Sequence, residues 1–481
     1  MARLAWIIAA LLVLSVAVPA AADHNNDLHS PNMGLVGNFT DAATYSDGSD
    51  IAFWGDLAIF GNLDPGGFRV LDISDPTAPK EIGQFACPGS QSDVSVWEDL
   101  VFVSVDSTLT GPNCGDGSAG QTAVAQGQVW EGIRIVSIAD PADPVYLASV
   151  DTDCGSHTHT LVPDTANDRV LLYVLSYPLT EHGVECNVVG HRKISVIEVP
   201  LDDPTAAKVV STPSVSPAIG CHDVTVFMPE KLAAAACLTE SQIWDISDPV
   251  NPTILSHIVN PLINIHHSAA FSWDGDTVVL GDELGGAAAA AGCLTDGNAP
   301  LGALWFYDVS NPASPAMRGS FVIPGTRVTL ECTAHNFNII PLPGDRDILV
   351  SAWYTGGTTI VDFTDPANPE QIGFYIPSEG APGNSWSSYW YNGYIYANNL
   401  GDRGIDVLRL EDALVANALA LPHLNAQVQE GLPAPKSSGG GTQVRGRRQV
   451  LPRTGAGAWY AAGLALLAAA GVLRRLLRGS S

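Results

Sequence analysis

The chain has 481 residues, 46% of them hydrophobic, with 22 basic side chains against 50 acidic ones and a formal net charge of −28. An acidic balance of that size excludes nucleic acid and anionic membrane surfaces as electrostatic partners. Eight cysteines, an even number, point to disulfides if the chain is exported.

Residues 1–22 read as a secretory signal peptide. Arg3 supplies the basic start and Leu4 to Val18 form an uncharged apolar run. Pro19 breaks it, and Ala20 and Ala22 give the small residues of a cleavage site, so the mature chain is expected to begin near Asp23. The competing reading is an uncleaved membrane anchor.

Two patterns then alternate along the chain. The first reads strand, tight polar turn, strand: "SDIAFWGDLAIFGN" from Ser49, "SDVSVWEDLVFVSV" from Ser92, and counterparts beginning at His159, His222, His267, His335 and Trp386. The second reads strand, Asp/Asn-Pro turn, strand: "FRVLDISDPTAPKEIGQF" from Phe68, "SQIWDISDPVNPTILSHI" from Ser241, "LWFYDVSNPASPAMRGSF" from Leu304 and "TTIVDFTDPANPEQIGFY" from Thr358. "IRIVSIADPADPVYLASV" from Ile133 is a further copy, and a weaker one starts at Ile194. An Asp or Asn side chain folds back on the backbone to open such a turn, and proline fixes φ without continuing the ladder. Alternating apolar residues mark the strands.

The two patterns together give four strands per unit at the repeat length of a β-propeller. The expected fold is all-β: a seven-bladed β-propeller of four-stranded antiparallel blades over residues 23–424. The last unit has "RGIDVLRL" (403–410) as a third strand but no fourth. "PNMGLVGNF" (31–39) has the look of the missing strand, so residues 33–39 are expected to close the ring by completing the last blade.

The V-x-D-[IVF]-[ST]-[DN]-P-x-x-P repeat resembles that of the LVIVD-repeat family of prokaryotic surface proteins, over nearly all of residues 31–411. The literal pentapeptide is absent, the nearest forms being "RVLDI" (69–73) and "TIVDF" (359–363). The resemblance implies a propeller outside the cell and no particular activity.

Insertions at 107–130, 178–191 and 282–301 all fall between second and third strands, so one face carries the long loops, where binding usually lives. The same face receives the start of every inner strand. His159, His222, His267 and His335 align there, in four consecutive units, as candidate ligands of copper or zinc. His157, His266, Asp282, Glu283 and Glu331 are close enough in sequence to join them. The arrangement is similar to the selenium-binding and methanethiol-oxidase propellers, whose mouth histidines imply copper, although this chain has no CxxC-type match to them. The competing reading is a structural belt, in which each histidine hydrogen-bonds the neighbouring blade.

The expected disulfides are Cys87–Cys114, Cys154–Cys186, Cys221–Cys237 and Cys293–Cys332. Eight cysteines allow 105 connectivities, and Cys221 and Cys332 have a second reading as thiolate ligands beside the histidines. No nucleophile elbow, P-loop, HExxH, Rossmann fingerprint or EF-hand loop occurs in the sequence. The leading functional reading is therefore a surface binding or adhesion module with an unknown extracellular ligand. The alternative is a metal-dependent extracellular enzyme, an oxidoreductase by preference.

Residues 425–450 are rich in Pro, Gly and Ser and read as a flexible spacer. Residues 451–481 open with "LPRTG", continue as an apolar stretch from Ala456 to Leu473, and end with Arg474, Arg475 and Arg478. This order resembles the sortase signal of Gram-positive surface proteins. Leu451, Pro452, Thr454 and Gly455 are its expected recognition residues. The resemblance implies cleavage after Thr454, with a sortase and a peptidoglycan precursor as partners and the membrane as a transient one through the apolar helix. The competing reading is a plain single-span anchor. Either way the body of the protein is extracellular, at the wall or membrane surface.

Overall fold

The structure is a computed structural model. It describes residues 27–40, 47–120, 129–176, 191–283, 302–324, 332–378, 384–401 and 403–433. The expected signal peptide, the expected sorting signal and most of the three long insertions lie outside the described residues. Among the described residues no helix is long and apolar enough to cross a membrane.

The fold is all-β, built from antiparallel four-stranded units. One unit runs Gln91–Trp97, Leu100–Leu109, Trp130–Ser137 and Val145–Asp151, in that order across the sheet. The next runs Thr158–Asp164, Arg169–Leu175, Ser195–Pro200 and Lys208–Ser211. Then come Asp223–Phe227, Leu232–Ala236, Ser241–Asp245 and Thr253–Ile258. His266–Phe271, Thr277–Asp282, Leu304–Asp308 and Ala316–Phe321 follow. After them come Phe337–Ile339, Ile348–Ala352, Thr358–Asp362 and Glu370–Ile376.

A nine-stranded sheet joins the chain ends. Asp47–Trp54, Leu57–Asp64, Gly67–Asp72 and Lys80–Ala86 make one part of it, Asn384–Tyr391, Tyr394–Leu400, Ile405–Leu410 and Met33–Phe39 the other, and His423–Asn425 is the ninth strand, paired with Asp47–Trp54. Met33–Phe39 pairs antiparallel with Ile405–Leu410, from Met33 opposite Leu410 to Phe39 opposite Ile405. The N-terminal strand thus supplies the outer edge that the C-terminal unit lacks.

Burial falls from the first strand of each unit to the fourth. Asp223–Phe227 and Leu232–Ala236 are buried throughout, whereas half of Ala316–Phe321 is exposed and only Phe321 is buried. Neighbouring units share apolar cores: Phe102, Leu172, Tyr173, Val226 and Trp244 belong to one continuous cluster across three units.

The repeat's turn chemistry appears as drawn from the sequence. Asp75, Asp140, Asp248, Asn311 and Asp365 each accept, through Oδ1, the backbone N–H two residues on, at 3.0–3.3 Å. The turns also dock unit on unit. A Cβ added to Gly83 would stand 2.0 Å from the Pro141 carbonyl oxygen of the next unit, and one on Gly319 would stand 2.2 Å from that of Pro366. Where the corresponding residue is Ser256, its hydroxyl donates instead to the Pro312 carbonyl at 2.6 Å. Gly83→Val is accordingly expected to cost about 3 kcal/mol through overpacking of this seam, read as a lower midpoint in urea unfolding.

One segment departs from the sequence reading. Residues 425–433 are not flexible spacer. His423–Asn425 pairs with Asp47–Trp54, and Val428–Gln429 adds in parallel to Asp223–Phe227. The Asn425 amide receives the Val96 N–H at 2.7 Å and donates to the Val96 carbonyl at 3.0 Å. The Gln429 amide does the same with Phe271, at 2.9 and 2.8 Å. These contacts fall at the far ends of the inner strands, away from the residues that open them.

Cys87–Cys114 and Cys221–Cys237 are disulfides. Cys154 and Cys332 are also disulfide-bonded, while Cys186 and Cys293, their expected partners, lie outside the described residues. Cys221 and Cys332 are therefore not thiolate ligands.

Candidate functional site

Backbone hydrogen bonds fix which residues open each inner strand. The N–H of His222 bonds to the carbonyl of Ala236, the residue opposite Asp223. The N–H of His157 bonds to the carbonyl of Leu175, the residue opposite Thr158. The counterpart of His222 in the preceding unit is therefore His157, and His159 sits two residues further along the strand. This corrects the assignment of His159 to the candidate site. Its Nε2 and Nδ1 bond to the hydroxyls of Ser95 and Ser104 at 2.7 and 2.8 Å. Burial holds its pKa down at about 3. His159 is a satisfied core histidine.

The other three expected histidines do come together, in chain order, with His157 at one end. Ring centroids are 4.7 Å apart for His157–His222, 3.7 Å for His222–His267 and 4.4 Å for His267–His335. Glu283 reaches in from the strand beside His267. Its Oε2 lies 3.6 Å from His267 Nε2 and its Oε1 3.7 Å from His335 Nε2. Tyr354 donates its hydroxyl to the same Oε1, and Trp386 packs against His335 with ring centroids 4.5 Å apart. His266 and Asp282 stay outside. His266 Nδ1 bonds to Ser241, and Asp282 accepts the N–H groups of Asn264, Ile265 and Gly302. Glu331 lies outside the described residues.

The belt reading holds for His159, bonded to Ser95 and Ser104 of the preceding unit, and for His335, bonded to the Trp386 carbonyl of the next. Hydroxyls next to the mouth carry most of the belt: Ser49 to the Ser92 carbonyl at 2.9 Å, Thr158 to that of His222, Ser268 to that of His335 at 2.9 Å, and Ser387 to that of Ser49 at 3.3 Å. Both ring nitrogens of His267 and Nε2 of His335 take no part in it among the described residues.

Two second partners set tautomers. His335 Nδ1–H donates to the Trp386 carbonyl, and His157 Nδ1–H donates to Asp106 Oδ2 at 2.5 Å. In a neutral ring the proton on Nδ1 leaves a lone pair on Nε2. Neutral rings are what the environment dictates. Burial, then the neighbouring imidazoles, hold His222 and His267 well below the usual histidine range, and burial first of all holds His335 at about 3. A bare His335 Nε2 lone pair therefore faces a carboxylate oxygen, acceptor against acceptor, with no hydrogen-bond partner of its own. Both ring nitrogens of His267, a side chain 1% exposed, likewise lack hydrogen-bond partners among the described residues. Buried polar atoms are rarely left so. His267, Glu283 and His335 lie close enough together to hold a metal ion, which would resolve the conflict.

Deeper along the inner strands three buried carboxylates interact: Asp50, Asp93 and Asp223. Burial and mutual repulsion raise Asp93 well above its ordinary value, and burial in the first place lifts Asp50 to about 6 and Asp223 to about 7. Tyr389 stands beside them, and Gln427 Nε2 donates to Asp50 Oδ2 at 3.0 Å. A carboxyl whose pKa is higher folded than unfolded binds more protons in the folded state, so its contribution favours folding at low pH and is lost as pH rises towards 6. Stability of the metal-free protein is thus expected to fall between pH 4 and 7 by about 2 kcal/mol on account of Asp50. Asp50→Asn should flatten that slope in urea unfolding measured at each pH.

The LVIVD-repeat family model matches residues 49–87 and 302–322. No curated protein matches the chain. Among solved structures the chain is similar to hydrazine synthase of Kuenenia stuttgartiensis, at 12% identity and a TM-score of 0.51, over 79% of this chain and 97% of that one. It is also similar to a protein of Lactobacillus plantarum at 14% identity and a TM-score of 0.49, over 80% of this chain and 97% of that one. At 12% identity the likeness to the hydrazine synthase concerns the fold alone. The chain carries LVIVD repeats in an all-β, propeller-like fold.

Proposed function

We propose that this chain is a seven-bladed, extracellular surface propeller that binds a transition metal, copper or zinc, at the mouth of its central channel. The blade count rests on dividing the nine-stranded sheet. Only one residue pair, Leu400 with Asp47, links Tyr394–Leu400 to Asp47–Trp54, so each side counts as a four-stranded blade, and the other five units complete seven. The disulfides suit an oxidising compartment. Anchoring through Leu451, Pro452, Thr454 and Gly455, with a sortase and peptidoglycan precursor as partners, follows from the resemblance of the terminal residues. Thr454→Ala is expected to shift the protein from the wall fraction to the membrane or the medium. Unchanged wall linkage would refute the anchor.

The observation that carries the metal reading is the bare Nε2 of His335 beside the carboxylate of Glu283. Two or three neutral imidazoles with one carboxylate form a donor set that suits zinc or copper. The ion would be held by His267, Glu283 and His335, with His222 and His157 extending the row. Function is then binding: a metal-bearing face among the long loops that presents the ion to an extracellular ligand. Tyr354 favours the second reading, an oxidoreductase, because it places a phenol one hydrogen bond from a metal-facing carboxylate. Elemental analysis of the purified exported protein tests the metal. Stoichiometric copper or zinc is expected, and a folded protein that takes up neither ion would overturn the proposal.

A further inference from the structure

We infer that His267 is shared between two metal ions, its imidazole bridging a site made with Glu283 and His335 and a second site made with His222 and Asp223. The inference rests on the metal reading above and goes beyond it in number and in chemistry. In each of the two sets the ligand atoms lie within 4.8 Å of one another, and every residue is buried. The sets have His267 in common and nothing else. They are alike in kind, each adding one imidazole and one carboxylate to it. His267 also lies between the other two rings, 3.7 Å from His222 and 4.4 Å from His335 by centroid.

A ring nitrogen has one lone pair to give, so a histidine serving two ligand sets must use both nitrogens. Both nitrogens of His267 are buried and without hydrogen-bond partners among the described residues. That is unlike His335 and His157, whose Nδ1 atoms are each committed to a carbonyl or carboxylate. Nδ1–H bonding to a second-sphere acceptor orients a histidine for one metal at Nε2. His267 has no such acceptor, and a second ion takes its place. The first ion binds one nitrogen while the other keeps its proton. Binding of the second ion releases that proton to solvent and leaves an imidazolate. The imidazolate, Glu283 and Asp223 then bring three negative charges to two divalent ions, so neither carboxylate is left buried without a countercharge.

The test is titration of the chelator-stripped full protein with zinc alone, against a chromophoric chelator, repeated with copper(II) alone under electron paramagnetic resonance. Wild type should take two equivalents. Glu283→Gln and Asp223→Asn should each keep about one, and His267→Gln should weaken both. Bridged copper(II) pairs couple magnetically, so the signal should account for clearly less than the copper bound, and recover its full intensity per copper in either carboxylate variant. One equivalent in wild type with full signal intensity would overturn the bridge and leave the single-ion reading standing. No uptake of either ion would overturn the metal reading itself, and the bridge with it.

Discussion

Replacing His222 and His335 together by alanine is expected to strip metal from the purified protein while leaving the propeller folded. The pair supplies one imidazole on each side of His267. Without them each carboxylate keeps a single histidine partner, and affinity for zinc or copper should fall roughly 100-fold or more. Stability of the metal-free protein should change little by comparison. The ties between units at this level run through Ser49, Thr158, Ser268 and Ser387, whose hydroxyls bond to backbone carbonyls that the substitutions leave in place. His335 contributes one tie of its own, to the Trp386 carbonyl, so a loss of about 1 kcal/mol is expected from that bond. Metal content and melting temperature of the stripped protein, measured side by side, separate the two roles. Retained metal with a large drop in melting temperature would make the histidines structural ties after all.

The second large effect is expected at the other end of the inner strands. Asn425→Ala with Gln429→Ala should cost about 4 kcal/mol. Each amide satisfies both the N–H and the carbonyl of one buried residue, Val96 or Phe271. Removing it leaves two buried backbone groups unpaired, and each such group costs about 1–3 kcal/mol. Hydrogen exchange at the Val96 and Phe271 amides should accelerate along with the drop in global stability. Unchanged exchange there would mean that the segment only rests on the propeller. The same contacts couple the segment to the channel, because Gln427 donates to Asp50.

The difference between what could and could not be read from the residues has physical causes. The Asp-Pro turns were legible because an Asx turn and a fixed proline φ are local devices, independent of what surrounds them. Pairing of Met33–Phe39 with Ile405–Leu410 was legible because a unit lacking its fourth strand leaves an edge to be covered. Cys221–Cys237 was legible because one hairpin holds both ends. His159 was misassigned because "HTHT" offers two histidines two residues apart. In a strand both share a face, and periodicity cannot choose between them. The hydrogen bonds at His157 and His222 choose. Trp386 aligned with the histidines at the head of its unit, but an aromatic residue there reads as core and suggested no role, and Tyr354, just beyond Ile348–Ala352, gave no signal for the same reason. The segment at 423–429 was missed for a different reason. Its residues "HLNAQVQ" do alternate polar and apolar, but the run is short, matches neither repeat pattern and opens a stretch rich in Pro and Gly, so it was read with the spacer.

The central claim is that the channel mouth holds a metal ion on imidazole and carboxylate. X-ray absorption at the zinc or copper edge of the purified protein tests it most directly. Scattering from imidazole rings together with a carboxylate oxygen, lost in the His222→Ala and His335→Ala double variant, is the predicted result. A metal-free protein, or an edge whose scattering shows only water and carboxylate oxygens and does not change in that variant, would contradict it.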